Sequence, residues 1–188
     1  MKVILASASP RREDLLKRLF EKFEIIPADI DETLPDDIGL EFAPVFLAAE
    51  KGNAVAENHP DALVISADTI VVIDGVMLGK PKDRQNAIEM LKLLSGKTHK
   101  VITGCCIRKG ELCSSFSQES LVTFYDLTDN EISSYVDSGA ADGKAGAYGI
   151  QDGGGLFVEK IEGDYYNIIG LPIAKLNREI QLLLEEEK

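Results

Sequence analysis

Ser7, Ser9, Arg11 and Arg12 stand close together near the N-terminus, and between them they carry the donors that a phosphate group needs. Serine hydroxyls donate single hydrogen bonds, and an arginine fork grips phosphate through two at once. The residues before them, Val3 to Ala6, form an apolar run that reads as a short buried strand. Ser9 suits a helix N-cap and Pro10 the first helical position. Leu15, Leu16, Leu19, Phe20 and Phe23 recur at helical spacing, which predicts an amphipathic helix to about Phe23. A strand, a serine-rich turn and a helix start make an anion trap, because backbone N–H groups point outward there. Two cations in a first helical turn oppose the macrodipole, so helix stability does not explain them. The competing reading is that both arginines are solvated surface residues.

Carboxylates come next. Asp31 and Glu32 follow a strand-like stretch from Glu24 to Ile30, where hard oxygens are placed to ligate Mg²⁺. Asp68 ends the run Ala62 to Ala67, whose unbroken apolar character predicts a central strand buried on both faces. No helix follows that Asp68 could cap. A carboxylate at such a strand end is a common catalytic or metal-binding placement in α/β sheets. Ile70 to Leu78 then reads as a hairpin around Asp74-Gly75.

Further cations could complete such a site. Lys51 falls mid-helix in a segment expected from Leu40 to Asn58, with Phe42, Phe46, Leu47 and Val55 on its buried side. Lys80 sits between Gly79 and Pro81, which fix its exit direction and suit a phosphate contact. Surface lysine is the alternative for each. The segment Gly143 to Gln151 is rich in small residues that let a ligand approach the backbone. Within it Tyr148 could stack on a ring and the Gln151 amide could read a base edge, unless the segment is an ordinary irregular loop.

The elements that must hold these residues are legible in outline. A helix capped by Asp83 runs to Leu94, and two long strands cover His99 to Ile107 and Glu111 to Tyr125. Thr128 and Glu131 form a capping box for a helix to about Val136. A strand from Gly155 to Ile161 precedes the amphipathic C-terminal helix. The length of 188 residues suits a single domain spanning 1–188. A net charge of −12 argues against a duplex nucleic-acid surface. No apolar run approaches a membrane span, and the N-terminus does not read as a signal peptide. Cys105, Cys106 and Cys113 lack metal spacing and read as free thiols in a reducing compartment, with cytoplasm as the default. His59 and His99 read as structural.

The blocks ILASxSPRRxxLL, ADT, GKP, LSGKxHxVxTG, KAGAYGIQ and GDYYNIIGLP together resemble the Maf family of nucleotide pyrophosphatases, also called septum-formation inhibitors. The resemblance runs from Ile4 to Pro172 and into the last helix. It implies a strongly bent, mixed α/β sheet flanked by helices with a deep cleft, related to inosine-triphosphate pyrophosphatases. It implies hydrolysis of a nucleoside triphosphate between the α and β phosphates with a divalent metal, Mg²⁺ or Mn²⁺. The AYGIQ and GDYYNIIGLP blocks are similar to the branch acting on dTTP and UTP. A house-cleaning enzyme for modified nucleotides, or a nucleotide-binding cell-division regulator without turnover, are the alternative readings. A homodimer is the family expectation.

Carried onto this chain, the resemblance makes Asp68 the proton acceptor and associates Arg11, Thr69 and Gln151 with substrate choice. Ser7, Arg12, Glu32, Lys51, Lys80 and Lys144 match further polar cleft positions. The expected site is therefore Asp68, Lys51 and Lys80 as catalytic residues and Glu32 with Asp68 as metal ligands. Ser7, Ser9, Arg11, Arg12, Thr69, Lys144 and Gln151 would bind substrate. One carboxylate doing both jobs, metal ligand and base, is left open at this stage. One departure is Asp152, where relatives carry Gly after the Gln, and it puts an extra negative charge beside the expected base reader. Asp14 in place of the usual Glu is a minor change.

Overall fold

The fold is described from a computed structural model over residues 1–185. Its described residues form a mixed seven-stranded sheet with helices. The strands are β1 (Val3–Leu5), β2 (Glu24–Ile25), β3 (Leu63–Ile73), β4 (Val76–Leu78), β5 (Thr98–Lys109), β6 (Leu112–Phe124) and β7 (Val158–Gly163). They run in the order β2-β1-β3-β5-β6-β7, with β4 antiparallel to the far half of β3. The helices are α1 (Pro10–Leu16), α2 (Ala43–Ala56), α3 (Arg84–Leu94), α4 (Asp129–Asp137), α5 (Tyr165–Ile169) and α6 (Ile173–Glu185). None of them is long and apolar enough to cross a membrane.

The chain packs as two compact units. Of the described residues, the first holds 1–68, 103–118 and 170–185; the second holds 69–102 and 119–169. In the first, β1 runs parallel to both β2 and β3, with Ile4 opposite Glu24 and Val64. β1 and the first half of β3 are buried, as their continuous apolar sequence requires, whereas β2 at the edge is exposed. Ile4, Ala6, Val55, Ala62 and Val64 form a core cluster there. Helix α2 comes so near β5 that a Cβ on Gly104 would lie 2.2 Å from the Val45 nitrogen. Only glycine permits that backbone-on-backbone contact.

In the second unit, Leu91, Leu94, Val122, Phe124 and Ile132 are at most 1% exposed and centre the larger cluster. Asp74 and Gly75 have φ of 51° and 76°, as the expected two-residue hairpin turn requires. The Asp83 side chain accepts from the Asn86 N–H at 2.8 Å, and the capping box of Thr128 and Glu131 is formed. Asn167, fully buried, donates to the Val101 carbonyl and the Ser120 hydroxyl. The GDYYN block thus serves as scaffold in this unit.

Several expectations change. The helix expected to reach Phe23 stops at Leu16, and the N–H groups of Arg18 and Leu19 bond three residues back, to Leu15 and Leu16. That tighter turn ends the helix, and the chain reaches the β1 edge as β2 at Glu24. Ser9 is at the cap position with extended backbone, but its hydroxyl makes no cap bond. Helix α2 is shorter than expected at both ends, and Phe42 at its start is 59% exposed rather than buried. Asp68 lies within one continuous strand, because β3 runs on through Thr69 to Ile73 where a strand end was expected. Gly153–Phe157 is a 3₁₀ turn, so the last strand begins at Val158.

Candidate active site

Helix α2 and strand β3 build the first cluster. Lys51 projects from α2, and its ammonium lies 2.7 Å from Asp68 Oδ1 and 2.8 Å from Glu32 Oε1. One cation thus gathers two carboxylates from separate elements, a strand and the 26–42 loop. Helix and strand are fastened beside this pair, where the Ser66 hydroxyl donates to the Ala48 carbonyl at 2.6 Å. Gly52 makes room, since a Cβ there would stand 2.7 Å from Ser66 Oγ and 3.3 Å from Cys106 Sγ. Lys51 and Asp68 side chains keep 12% and 15% of their exposure, whereas Glu32 keeps 54%. A largely desolvated ion pair therefore meets a second, more exposed acid.

Arg12 is anchored in the same unit. Its Nε donates to the Gly170 carbonyl at 2.9 Å and its Nη1 to the Ser7 hydroxyl at 3.2 Å. Burial lowers the guanidinium pKa, while Asp68, Cys105 and Glu32 act to raise it. Arginine stays cationic at neutral pH throughout. The Ser7 hydroxyl also accepts the Ser9 N–H at 3.3 Å, so the serine turn and Arg12 share one network. Arg11 and Ser9 are half-buried nearby in sequence, without a side-chain partner defined for the Ser9 cap. Burial pushes the Cys105 thiol up to about 12 and Cys106 up to about 11. Both are neutral at pH 7 and no nucleophile is found in them.

The remaining expected residues lie in the second unit. Thr69 is half-buried on β3, and Lys80 is exposed after β4. The Gly146 N–H donates to the Gly79 carbonyl at 3.1 Å, which ties the segment of Lys144 to that of Lys80. Lys144 donates to the Ala140 carbonyl and pairs with Asp152 Oδ2 at 2.8 Å. Gln151 is exposed on the following turn. Tyr148 does not offer a stacking face. It is 6% exposed, with its hydroxyl 2.8 Å from His99 Nε2 and its ring edge-on to Phe124 at 4.8 Å. An aromatic among glycines reads as accessible in sequence, yet here the glycines let the backbone fold tightly over it.

Sequence reasoning missed Ser66, Tyr135 and the partners of Asp152. Ser66 carried a signal, as a polar residue inside a buried strand that must find an acceptor. Tyr135 carried none beyond its helical phase.

Two carboxylates converging on one cation suit a hard divalent ion, which takes one or two carboxylates and leaves positions for phosphate oxygens and water. Among the described residues no group of three or more His, Cys, Asp or Glu side chains forms a ready metal cage. The carboxylate oxygens of Asp68 and Glu32 are the hard donors that a divalent ion of this kind takes.

Comparisons with known proteins bear on the family and the fold. A family model described as Maf-like protein matches residues 2–183. A dTTP/UTP pyrophosphatase of Bacillus cereus G9842 is 48% identical over 96% of this chain and 94% of its own. One of the same name from Carboxydothermus hydrogenoformans is 47% identical over 96% and 98%. Among solved structures, the Ham1 protein of Staphylococcus aureus aligns with a TM-score of 0.52 at 15% identity, covering 67% of this chain and 73% of that one. A HAM1 protein from Coxiella burnetii aligns at 0.51 and 13% identity, over 83% and 91%. At those identities the likeness shows the fold alone. The match along nearly the whole chain settles the family: this chain belongs to the Maf-like proteins.

Proposed function

We propose that this chain is a nucleoside triphosphate pyrophosphatase that hydrolyses dTTP and UTP to the monophosphate and pyrophosphate. Relatives bearing the name dTTP/UTP pyrophosphatase support it over 96% of the chain. The observation that carries the chemistry is Lys51 held between Asp68 and Glu32. Cleaving a phosphoanhydride is mainly a matter of placing a water in line and neutralising oxygen charge. In this reading Asp68 accepts the proton of the attacking water, and its carboxylate is fixed by Lys51. Lys51, Lys80, Arg11 and Arg12 meet the phosphate oxygens, and Ser7 and Ser9 add hydroxyl donors. Thr69, Lys144 and Gln151 belong to substrate choice, and the whole span works as one domain.

Glu32 and Asp68 would hold a divalent cation, Mg²⁺ or Mn²⁺, which when bound supplies charge neutralisation at the phosphates and acidifies a water. The chain's own residues do the rest: Arg12 is preset by Gly170 and Ser7, so it needs no reordering as charge develops. Free cysteines support the cytoplasm as the place of action.

The test is product analysis with Mg²⁺ across UTP, dTTP, ATP, GTP and modified pyrimidine triphosphates. UMP and pyrophosphate from UTP, with dTMP and pyrophosphate from dTTP, are the expected products. UDP and inorganic phosphate would contradict the bond assignment. Cleavage of modified nucleotides alone would move the reading to a house-cleaning enzyme, and binding without any product to a regulator.

A further inference from the structure

We propose that Asp152 is a positioning residue for base selection: it clamps the turn that carries Gln151 to Lys144 and to Tyr135 of α4. The inference rests on the reading of Gln151 given above and goes beyond it. From sequence, Asp152 was only a stray negative charge beside that amide. Its contacts give it a different part.

Asp152 joins three segments of the second unit through one carboxylate. Oδ2 pairs with Lys144 Nζ at 2.8 Å. Oδ1 accepts the Tyr135 hydroxyl proton at 3.1 Å and the Gly154 N–H at 3.3 Å. The Tyr135 proton has a second acceptor in reach, the Ala140 carbonyl at 3.2 Å, but a carboxylate is the stronger partner. The same hydroxyl accepts the buried Gly149 N–H at 3.0 Å. Both ends of the turn are therefore pinned to one phenol, Gly149 directly and Asp152 through Oδ1, and Gln151 lies between them.

The turn is closed tightly enough for this to matter. A Cβ on Gly149 would stand 2.8 Å from Asp152 Oδ2 and 2.8 Å from Lys144 Cε. On Gly154 it would stand 2.7 Å from the Gly149 carbonyl oxygen. The Gly155 N–H bonds back to the Asp152 carbonyl at 2.9 Å, so the clamp residue also starts the following 3₁₀ turn. Partial burial raises the Asp152 pKa, but Lys144, Gly154 and Tyr135 outweigh it and hold the carboxyl below the usual range. It is a carboxylate across the neutral range. Gln151 itself is exposed, so the orientation of its amide depends on the backbone beneath it. A loosened turn would blur the paired hydrogen bonds by which an amide tells a pyrimidine from a purine.

The experiment compares kcat/KM for UTP and GTP in wild type, Asp152→Ala, Asp152→Asn, Tyr135→Phe and Gln151→Ala. Asn keeps an oxygen for Tyr135 and Gly154 but loses both the charge and the acceptor that Lys144 uses. Asp152→Ala is expected to reduce the UTP-to-GTP ratio about tenfold, through KM for UTP more than kcat, as small misplacements of a recognition group do. Tyr135→Phe reduces it in the same direction, and Asp152→Asn, which keeps the Tyr135 arm and loses the Lys144 arm, reduces it less than Asp152→Ala does. Should Asp152→Ala fold poorly, Tyr135→Phe and Asp152→Asn carry the test. A ratio unchanged in Asp152→Ala and Tyr135→Phe but reduced in Gln151→Ala overturns the clamp and leaves the Gln151 reading standing. A ratio unchanged in all variants overturns both, and one altered by Asp152→Ala but not by Gln151→Ala overturns the clamp as stated.

Discussion

Two lysine–aspartate pairs in this molecule look alike and are held differently. Lys51 and Asp68 come from a helix and a central strand, with side chains 12% and 15% exposed. Lys144 and Asp152 come from one glycine-rich segment, where the aspartate is 40% exposed. The first pair is fixed by packed elements whose own burial is substantial; the second is fixed by hydrogen bonds to Tyr135, Gly154 and Ala140. A charge pair on packed elements is preorganised for chemistry, whereas one on a hydrogen-bonded turn is suited to shaping a loop.

That contrast can be broken at its strong end first. Lys51→Met leaves Asp68 and Glu32 facing each other without their shared cation. Turnover of UTP should fall by about 10² or more, the scale of losing one preorganised charge, in steady-state assays with fold checked by circular dichroism. A change below about threefold would show that Lys51 only supports the fold.

A second comparison concerns acid. The second unit buries His99, whose pKa burial lowers from 6.5 to about 4, and its Nδ1 has no hydrogen-bond partner. Between those values the unfolded chain binds a proton that the folded one refuses, so stability falls as pH drops from about 6.5 to 4. The drop is worth roughly 3 kcal/mol at the low end. Urea unfolding of wild type and His99→Gln across that range should show a steeper acid limb in wild type. Parallel limbs would remove His99 as the cause.

Matched glycine substitutions give the smaller effects. Gly52→Ala would drive a methyl into Ser66 and Cys106 beside the Lys51 pair. Overpacking there outweighs the helix-propensity gain, for a net loss of about 1–2 kcal/mol by thermal unfolding. Gly149→Ala meets the Asp152 and Lys144 side chains, so the methyl is relieved by loosening that clamp rather than by shifting packed backbone. Its cost should stay below about 1 kcal/mol. Equal losses at the two positions would mean that the pairs are held alike.

The same contrast explains what could be read from sequence. β1, β3, α3 and the capping box of α4 carry local signals, namely apolar period, Asp74-Gly75, and Thr128 with Glu131. Asp68 was singled out as the end of a buried run, although the strand runs on past it. Its exact partner, seventeen positions away on α2, was not legible. Tyr148 misled because its surroundings are set by a tertiary contact with a buried histidine, and the helix-borne phenol that meets Asp152 carries no local signal either. The early end of α1 followed from β2 pairing with β1, which no helical period announces.

The most direct test of the central claim is Asp68→Asn assayed for pyrophosphate release from UTP and dTTP, with nucleotide binding measured alongside by calorimetry. Asn preserves size and leaves Lys51 an acceptor but cannot take the proton. The account predicts retained binding with turnover lowered by on the order of 10² or more, as for loss of a general base. Near wild-type turnover in that variant would contradict it.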